Sequence, residues 1–269
     1  MTGGSGELGR RLVPYLLERT HSVVVLDLAP PPCACQDAEY VAVDARDYGK
    51  LADGMRGCDG LVHLAVHGHA PNRPDAIVYG NNTVSSYNAL SAAAGLGITR
   101  ICLGSSVNAI GGIYSRAPRY DYFPVDEEHQ SYAEDGYSLS KWVLERQADA
   151  FARRYPDMRI ASLRFHRLLE SRAQAIDMTD RLGPAAARHL WSYTLLREAT
   201  RACLLALTAD FTGHEVFFIV APRTAATVPS LDLARACYPA IEIRGSLADH
   251  TAFYNSAKAG RLLSWQHEK

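Results

Sequence analysis

Short apolar runs alternate with longer amphipathic stretches along most of the chain. Runs typical of buried parallel strands cover residues 22–28, 40–43, 60–65, 100–104, 159–165 and 215–221. Apolar residues at helical spacing predict helices at 6–19, 44–55, 77–96, 137–154, 190–208, 231–238 and 256–263. Strands and helices that alternate in this way form right-handed β-α-β units. The pattern therefore predicts an α/β fold with a doubly wound parallel sheet.

A glycine-rich segment, Thr-Gly-Gly-Ser-Gly-Glu-Leu-Gly, occupies positions 2–9. Gly3, Gly6 and Gly9 have the spacing of a loop that joins the first strand of a dinucleotide-binding sheet to its first helix. The first glycine permits a tight turn, the second lets the backbone approach a pyrophosphate, and the third lets the helix pack closely. The free N–H groups at the helix N-terminus then favour the phosphates.

The strand that should precede this loop is missing from the sequence, because only Met1 and Thr2 stand before Gly3. That strand would lie in the middle of the sheet, and its loss would leave backbone groups unpaired on both neighbours. We therefore expect either another segment in its place or a chain whose true start lies upstream.

Asp27 ends the second predicted strand, about twenty residues beyond the glycine loop, where an acid can accept hydrogen bonds from the adenosine ribose. Its charge would repel a 2′-phosphate, which favours NAD over NADP. The alternative is an ordinary aspartate in the turn after a strand.

Composition narrows the function classes. The chain has 269 residues, 48% hydrophobic residues and a net charge of -1, which gives no electrostatic reason to expect nucleic acid or an acidic membrane as partner. No apolar run approaches the length of a membrane span, so a cytoplasmic enzyme is expected. Cys33 and Cys35 form C-x-C in a proline-rich loop, but zinc sites prefer wider spacing and a second ligand pair, so no metal is expected.

Tyr137 and Lys141 form the motif Y-S-L-S-K, which places both side chains on one face of a helix. An ammonium group near a phenol stabilises the phenolate and lowers the tyrosine pKa, so Tyr137 is expected to exchange a proton near neutral pH. Ser106, at the end of the strand before this helix, could bind the substrate oxygen. We expect these three residues to be catalytic.

Together these motifs resemble the NAD-dependent epimerase/dehydratase family of the extended short-chain dehydrogenase/reductase superfamily. The resemblance covers nearly the whole chain. It rests on the glycine loop, Asp27, Val43-Asp44-Ala45-Arg46-Asp47, Val62-His63-Leu64-Ala65, Asn82-Thr83-Val84, Ser105-Ser106 and the Y-S-L-S-K motif.

The resemblance implies a Rossmann fold, NAD as cofactor and a set of cofactor-binding residues. Residues 1–165 would form the dinucleotide-binding core, and residues 166–269 a small C-terminal substrate-binding lobe, with residues 215–221 returning to the core sheet. Lys141 would bind the nicotinamide ribose as well as acting with Tyr137. The implied cofactor site comprises Gly3, Gly6, Glu7, Leu8, Gly9, Asp27, Asp44, Ala45, Leu64, Ala65, Asn82, Tyr137 and Lys141.

The segment 105–111 and the later Trp191-Ser192-Tyr193 look most like the uronate-dehydrogenase-like branch of this family. In that branch an arginine after the sixth strand holds a sugar carboxylate, and Arg164 and Arg167 are the matching candidates. Ser105 and Asn108 are further substrate candidates. The alternative for each arginine is an ordinary salt bridge. Aromatic residues at 114, 120, 122 and 123 could stack on a sugar or fold inward.

We expect an oxidoreductase, or an epimerase or dehydratase, that acts on a hydroxyl or carbonyl group of a sugar or sugar derivative. The alternatives are an NAD-binding sensor without turnover and a truncated, non-functional family member. The resemblance also implies a possible homodimer through the long helices near 77–96 and 137–154.

Overall fold

The computed structural model describes residues 1–32, 37–70 and 72–267. The C-x-C pair formed by Cys33 and Cys35 lies outside these residues. The helices are α1 (Gly9–Leu17), α2 (Tyr48–Gly54), α3 (Asp75–Leu96), α4 (Gly136–Arg154), α5 (Arg172–Leu182), α6 (Leu196–Thr208), α7 (Ser230–Cys237) and α8 (Ala257–Leu263). Two 3₁₀ helices cover Val107–Ile110 and Gly183–His189.

The long strands stand where the apolar runs predict them. The strands are β1 (Val24–Asp27), β2 (Glu39–Ala42), β3 (Gly60–His63), β4 (Arg100–Ser106), β5 (Tyr122–Phe123), β6 (Arg159–Phe165), β7 (Leu168–Leu169), β8 (Thr194–Leu195), β9 (Gly213–Ile219) and β10 (Glu242–Ile243). The order β3-β4-β6-β9 is parallel throughout, and β1 pairs in parallel with β2. The predicted α/β fold with a parallel sheet is therefore confirmed.

The first three residues bridge the two parts of the sheet. Thr2 forms parallel bridges to Leu26 in β1 and to His63 in β3. Its backbone N–H donates to the Val62 oxygen at 2.9 Å, and the Leu64 N–H donates to the Thr2 oxygen at 3.0 Å. Residues 1–3 therefore occupy part of the position expected for a first strand. They make strand-like hydrogen bonds with β1 and β3 near the carboxyl ends of these strands, where the glycine loop begins.

Two apolar cores, one on each face of the sheet, make the fold doubly wound. On one face, residues of α1, α6 and α8 pack with the apolar side chains of β1, β6 and β9. On the other face, residues of α2, α3 and α4 pack against β3 and β4. Helices on both faces bury β3, β4 and β6 beyond their first residues, which explains the apolar runs in these strands.

A third apolar cluster lies at the carboxyl end of the sheet and joins the segment after β4 to the C-terminal part of the chain. It contains Phe123, Trp191, Phe218 and Phe253. The short pairs β5–β10 and β7–β8 are also formed here. This region forms one end of the site described below.

The helix predicted at 190–208 begins only at Leu196, so the first six residues of that prediction are wrong. Leu190 and Trp191 both have φ of 49°, a left-handed conformation that ends the preceding 3₁₀ helix. Thr194 and Leu195 then pair with β7 as a strand. The run is apolar because it is buried, and burial alone does not distinguish a helix from a strand. Helix α5 was not predicted.

Within residues 1–32, 37–70 and 72–267, every helix is too short or too polar to span a bilayer.

Candidate active site

The glycine loop has a backbone that other residues would disrupt. Gly3 has φ of 72°, and a Cβ there would lie 2.5 Å from the Ala65 nitrogen. A Cβ on Gly9 would lie 2.5 Å from the Gly3 oxygen and equally close to the Gly4 oxygen. The loop therefore packs tightly against the end of β3 and against itself. The backbone N–H groups at the start of α1 remain available to an anionic ligand.

Asp27 holds the other side of the loop. Its carboxylate accepts a hydrogen bond from the Ser5 N–H at 3.0 Å and one from the Ala29 N–H at 3.3 Å. Each carboxylate oxygen has two lone pairs, so both can also accept a hydrogen bond from a ribose hydroxyl. Asp27 can therefore bind a ribose, as predicted. Its bond from the Ala29 N–H is also the bond of an aspartate in the turn after a strand.

A cavity of about 1280 Å³ connects the glycine loop with the motif residues of β4 and α4. The loop and Asp27 lie at one end, and Ser106, Tyr137 and Lys141 line the other. Its lining includes these predicted site residues: Gly3, Gly6, Glu7, Leu8, Gly9, Asp27, Asp44, Ala45, Leu64, Ala65, Ser105, Ser106, Asn108, Tyr137, Lys141 and Arg167.

Asn82 and Arg164 are the two predicted site residues that do not line this cavity. The Asn82 side chain accepts a hydrogen bond from the His67 N–H at 2.8 Å and donates to the Ser140 hydroxyl at 3.0 Å. Asn82 therefore fastens the loop after β3 to helix α4. Asn82 was predicted as part of the cofactor site, but its side chain makes these links instead and does not line the cavity.

Helix α4 carries the motif residues and begins at a strong cap. The Asp135 carboxylate accepts a hydrogen bond from the Ser138 N–H at 2.9 Å. Asp, Asn, Ser and Thr are favoured at this position because they satisfy a free N–H group of the first turn. The cap fixes the start of the helix next to Tyr137. Since Tyr137 and Lys141 are four residues apart, both face the end of β4.

The pKa of Tyr137 differs from the sequence-based prediction. Burial raises the pKa of Tyr137 to about 12, although a hydrogen bond with Ser106 lowers it. The Lys141 ammonium lies 5.8 Å from the centre of the tyrosine ring and donates a hydrogen bond to the Gly104 oxygen instead. Burial also lowers the pKa of Lys141 to about 8. The predicted lowering of the tyrosine pKa is therefore wrong for the protein without cofactor.

Ser106 and Asn108 form the polar wall opposite Tyr137. The Ser106 hydroxyl oxygen accepts a hydrogen bond from the Asn108 N–H at 3.1 Å, which caps the 3₁₀ helix that follows β4. The Asn108 side-chain oxygen is buried and has no hydrogen-bond partner among the residues that the structure describes. A buried acceptor without a partner carries a free-energy cost, and a substrate hydroxyl would satisfy it.

Arg164 cannot hold a substrate carboxylate in this structure. Its guanidinium group donates to both oxygens of Glu145, at 2.9 and 2.8 Å, and both side chains are almost fully buried. Of the two candidates, Arg164 therefore follows the alternative of a salt bridge. The partner could not be identified from the sequence, because nineteen residues and a different element separate it from Arg164.

Arg167 reaches the cavity from the lobe side together with two histidines. His166 accepts a hydrogen bond from the Arg167 N–H at 2.7 Å, and its other ring nitrogen lies 3.1 Å from the His189 oxygen. Burial lowers the pKa of His166 to about 3. Burial and the Arg167 guanidinium together lower the pKa of His189. Both histidines are therefore neutral near pH 7, and Arg167 is the charged side chain beside them. Glu170, which also lines the cavity, is paired with Arg11.

Of the four loop aromatics, Tyr120, Tyr122 and Phe123 are buried, whereas Tyr114 is 38% exposed and lines the cavity. Its ring packs edge to face on Tyr137, with the centres 5.9 Å apart, and the His69 ring stacks on it at 4.1 Å. Of the two alternatives, inward folding holds for three of the rings. The fourth ring, that of Tyr114, lies over Tyr137.

His63, the last residue of β3, is hydrogen-bonded through its ring to the Thr2 hydroxyl at 2.7 Å. Among the described residues, no three His, Cys, Asp or Glu side chains stand close enough to share a metal ion.

A comparison with protein families matches residues 1–192 to the NAD dependent epimerase/dehydratase family. The chain belongs to this family. The family's cofactor is NAD, and the glycine loop, where a Cβ on Gly3 or Gly9 would collide with backbone, fits a pyrophosphate. The predicted resemblance is therefore confirmed.

Two curated relatives illustrate the range of the family. A dTDP-6-deoxy-L-talose 4-dehydrogenase (NAD(+)) from Aggregatibacter actinomycetemcomitans is 26% identical over 62% of this chain and 59% of its own length. A uronate dehydrogenase from Agrobacterium fabrum is 32% identical over 41% of each chain. The matched region covers 47%, 59% and 51% of the lengths of three curated relatives, so it spans about half of each.

Among solved structures, a short-chain dehydrogenase/reductase superfamily protein from Agrobacterium tumefaciens with bound NAD superimposes with a TM-score of 0.73. It is 20% identical, and the match covers all of this chain and 92% of the other. At this identity the likeness shows the shared fold, which confirms the predicted doubly wound architecture.

Proposed function

We propose that the protein is an NAD-dependent oxidoreductase, or an epimerase or dehydratase, that acts on a hydroxyl or carbonyl group of a sugar derivative. The observation that carries the proposal is the single cavity that joins the glycine loop and Asp27 to Ser106, Tyr137 and Lys141. The groups for binding a dinucleotide and the groups for moving a proton are thereby brought to one site.

Bound NAD would supply the hydride acceptor and a positive nicotinamide charge that favours the tyrosine phenolate. Tyr137 would take the proton of the substrate hydroxyl as the neighbouring carbon loses its hydride, and would return it in the reverse reaction. Ser106 would hold the same oxygen. Lys141, buried beside them, would stabilise the negative phenolate and hold the nicotinamide ribose.

The substrate end of the cavity favours a sugar that carries an acidic group. Arg167 is the cationic group beside two neutral histidines, and the carboxylate of Glu170, which also lines the cavity, is paired with Arg11. The Asn108 oxygen offers a buried acceptor for a sugar hydroxyl. The partial match to a uronate dehydrogenase supports a uronate-like substrate. An epimerase or dehydratase reaction would use the same first step and then return the hydride.

Several further properties stay proposals. The exposed apolar residues Ile77 and Tyr87 on α3 and Trp142 on α4 support a homodimer through these helices. Two other properties stay predictions. One is the division into a core at 1–165 and a lobe at 166–269, and the other is a cytoplasmic location.

A substrate panel tests the proposal. The protein with NAD would be incubated with free uronates, the corresponding neutral sugars and nucleotide sugars, while NADH absorbance and product composition are followed. We expect NADH or an epimerised or dehydrated product from at least one sugar. NAD binding without any product would favour the sensor, and failure to bind NAD would favour the non-functional chain.

An arginine variant tests the substrate class. Arg167→Ala should raise KM for an acidic sugar by about tenfold or more, because a charge-assisted hydrogen bond is lost, while KM for the neutral sugar stays unchanged. Arg223→Ala, at an exposed lobe position outside the cavity, is the matched control. Equal effects of both variants would contradict the assignment of Arg167.

A further inference from the structure

Three residues of α4 at intervals of four contact three consecutive residues at the end of β4. Tyr137 is hydrogen-bonded to Ser106, and Lys141 donates to the Gly104 oxygen. Glu145, one turn further, accepts a hydrogen bond from the Ser105 hydroxyl at 2.7 Å. Residues spaced by four form one stripe along a helix, so these bonds join one helix face to one strand end.

Glu145 also connects the helix to a second strand. Its two carboxylate oxygens accept bonds from the Arg164 Nε at 2.9 Å and Nη2 at 2.8 Å. Arg164 lies in β6 directly opposite Ser105 in β4, because the two residues are partners in the parallel register. One carboxylate thus holds adjacent positions of two strands, next to the catalytic serine.

The cost of this arrangement indicates a purpose other than stability. Glu145 has no exposed surface and Arg164 is 3% exposed. Within the described part of the chain, the Nη1 of Arg164 has no hydrogen-bond partner. Apolar side chains of similar size often give equal or greater stability in such a place. An apolar pair makes no directional hydrogen bonds. Such bonds fix the position of a strand end relative to a helix.

We propose that Glu145, oriented by Arg164, is a positioning residue that holds the Ser105–Ser106 end of β4 against the Tyr137–Lys141 face of α4. This inference rests on the proposed function. Glu145 touches neither substrate nor cofactor and acts through Ser105, whose neighbour Ser106 is the catalytic residue. Its negative charge has a second effect on the same site, through Lys141.

The charges around Lys141 allow this second effect to be isolated. Burial lowers the pKa of Lys141, and Glu145 raises it. The other titratable groups facing it are Tyr137 on its own helix and His63 from β3, whose pKa values are about 12 and about 3. Neither changes charge between pH 5 and pH 10, as rough bounds from those values. Beyond Glu145 lies Arg164, which stays charged in that range.

Two double variants separate position from charge. Glu145→Met with Arg164→Met keeps the packed volume but removes the Ser105 bond and both charges. Glu145→Gln with Arg164→Met removes the charges but keeps an acceptor for Ser105. Single substitution of Glu145 would leave a buried arginine unpaired and could unfold the protein, so the double variants are preferred.

We expect the Met/Met variant to lose kcat by about tenfold or more with KM and NAD affinity little changed, because misplacement of reacting groups affects turnover. The Gln/Met variant should recover most of kcat. Asp149→Ala is the matched control, since Asp149 ties α4 to β9 through His214 at 2.7 Å, one turn beyond Glu145. It should retain kcat, and the unfolding temperature of every variant should be recorded.

A measurement without turnover completes the test. The chain has four lysines, so the side-chain signal of Lys141 can be resolved by NMR in lysine-labelled protein. In both double variants Lys141 should titrate at a lower pH than in the wild type, and the alkaline limb of the kcat profile should move with it.

Wild-type kcat in a folded Met/Met variant, or an unchanged Lys141 titration in both variants, would overturn the inference. If the wild-type protein itself turns over no sugar, the proposed function fails, and the NMR experiment still decides whether Glu145 acts on Lys141.

Discussion

At the scale of single residues, the sequence predicts those side chains and glycines whose roles follow from local geometry. Gly3 and Gly9 are required by close backbone contacts within the loop, and Tyr137 with Lys141 follows from helical spacing. Arg164 could not be assigned correctly, because its partner Glu145 becomes a neighbour only after the strands and helix pack. The predicted lowering of the Tyr137 pKa was wrong, because burial raises this pKa and the Lys141 ammonium bonds to the Gly104 oxygen instead.

Replacement of Gly9 by alanine should destabilise the protein by about 1–3 kcal/mol, because the new Cβ meets backbone oxygen atoms that cannot move aside. The loop should also lose NAD affinity. Chemical denaturation and calorimetric titration of NAD would measure both effects. Gly80→Ala in α3, where a Cβ meets nothing within 4 Å, is the control and should stabilise the helix by about 0.5–1 kcal/mol. Similar losses in both variants would contradict the tight loop.

At the scale of elements, apolar periodicity located the six predicted strands, and helix-forming patterns located most helices. Periodicity failed at 190–195, where the run is buried but left-handed and then extended. It also missed the role of Met1–Gly3, because a segment of three residues has no periodicity. Hydrogen bonds to both neighbouring strands define its place instead.

The cap of α4 should matter for turnover as well as for stability. Asp135→Ala removes the acceptor for the Ser138 N–H, which should cost about 1 kcal/mol of unfolding free energy. It should also lower kcat, since Tyr137 lies in the first turn. Ser171→Ala removes the corresponding cap of α5, where Ser171 accepts from the Gln174 N–H at 3.3 Å. A similar loss of stability with unchanged kcat is expected there, and equal kcat in both variants would contradict the role of the α4 cap.

At the scale of the whole molecule, the fold places a dinucleotide loop, an acidic strand end and a Ser-Tyr-Lys group along one cavity. The parallel sheet explains this shared cavity. The carboxyl ends of its strands lie at one edge, and the loops that follow them meet there. The sequence predicts that edge well. It predicts the lobe less well, because short strands and turns there pair across long separations in the chain, as β5 does with β10.

Two buried histidines should make the protein less stable in acid. Burial lowers the pKa of His63 and of His166 to about 3, so the folded protein keeps them neutral while the unfolded chain binds protons below pH 6.5. The unfolding free energy should therefore fall by up to about 1.4 kcal/mol per pH unit for each histidine from pH 6.5 towards pH 3.

Denaturation curves measured across this pH range test the expectation. His166→Asn, which can keep the bond from the Arg167 N–H, should show a shallower fall, and His21→Asn at an exposed position controls for removal of a histidine. A wild-type slope in His166→Asn would mean that His166 is not the group responsible.

The most direct test of the account compares the wild-type protein with Tyr137→Phe. The phenylalanine ring keeps the packing against Tyr114 but removes the hydroxyl that we propose exchanges the proton. On the sugar that the panel identifies, kcat should fall by about 100-fold or more, while calorimetry shows unchanged NAD affinity. Full turnover in the variant would contradict the assignment of Tyr137 as the group that moves the proton.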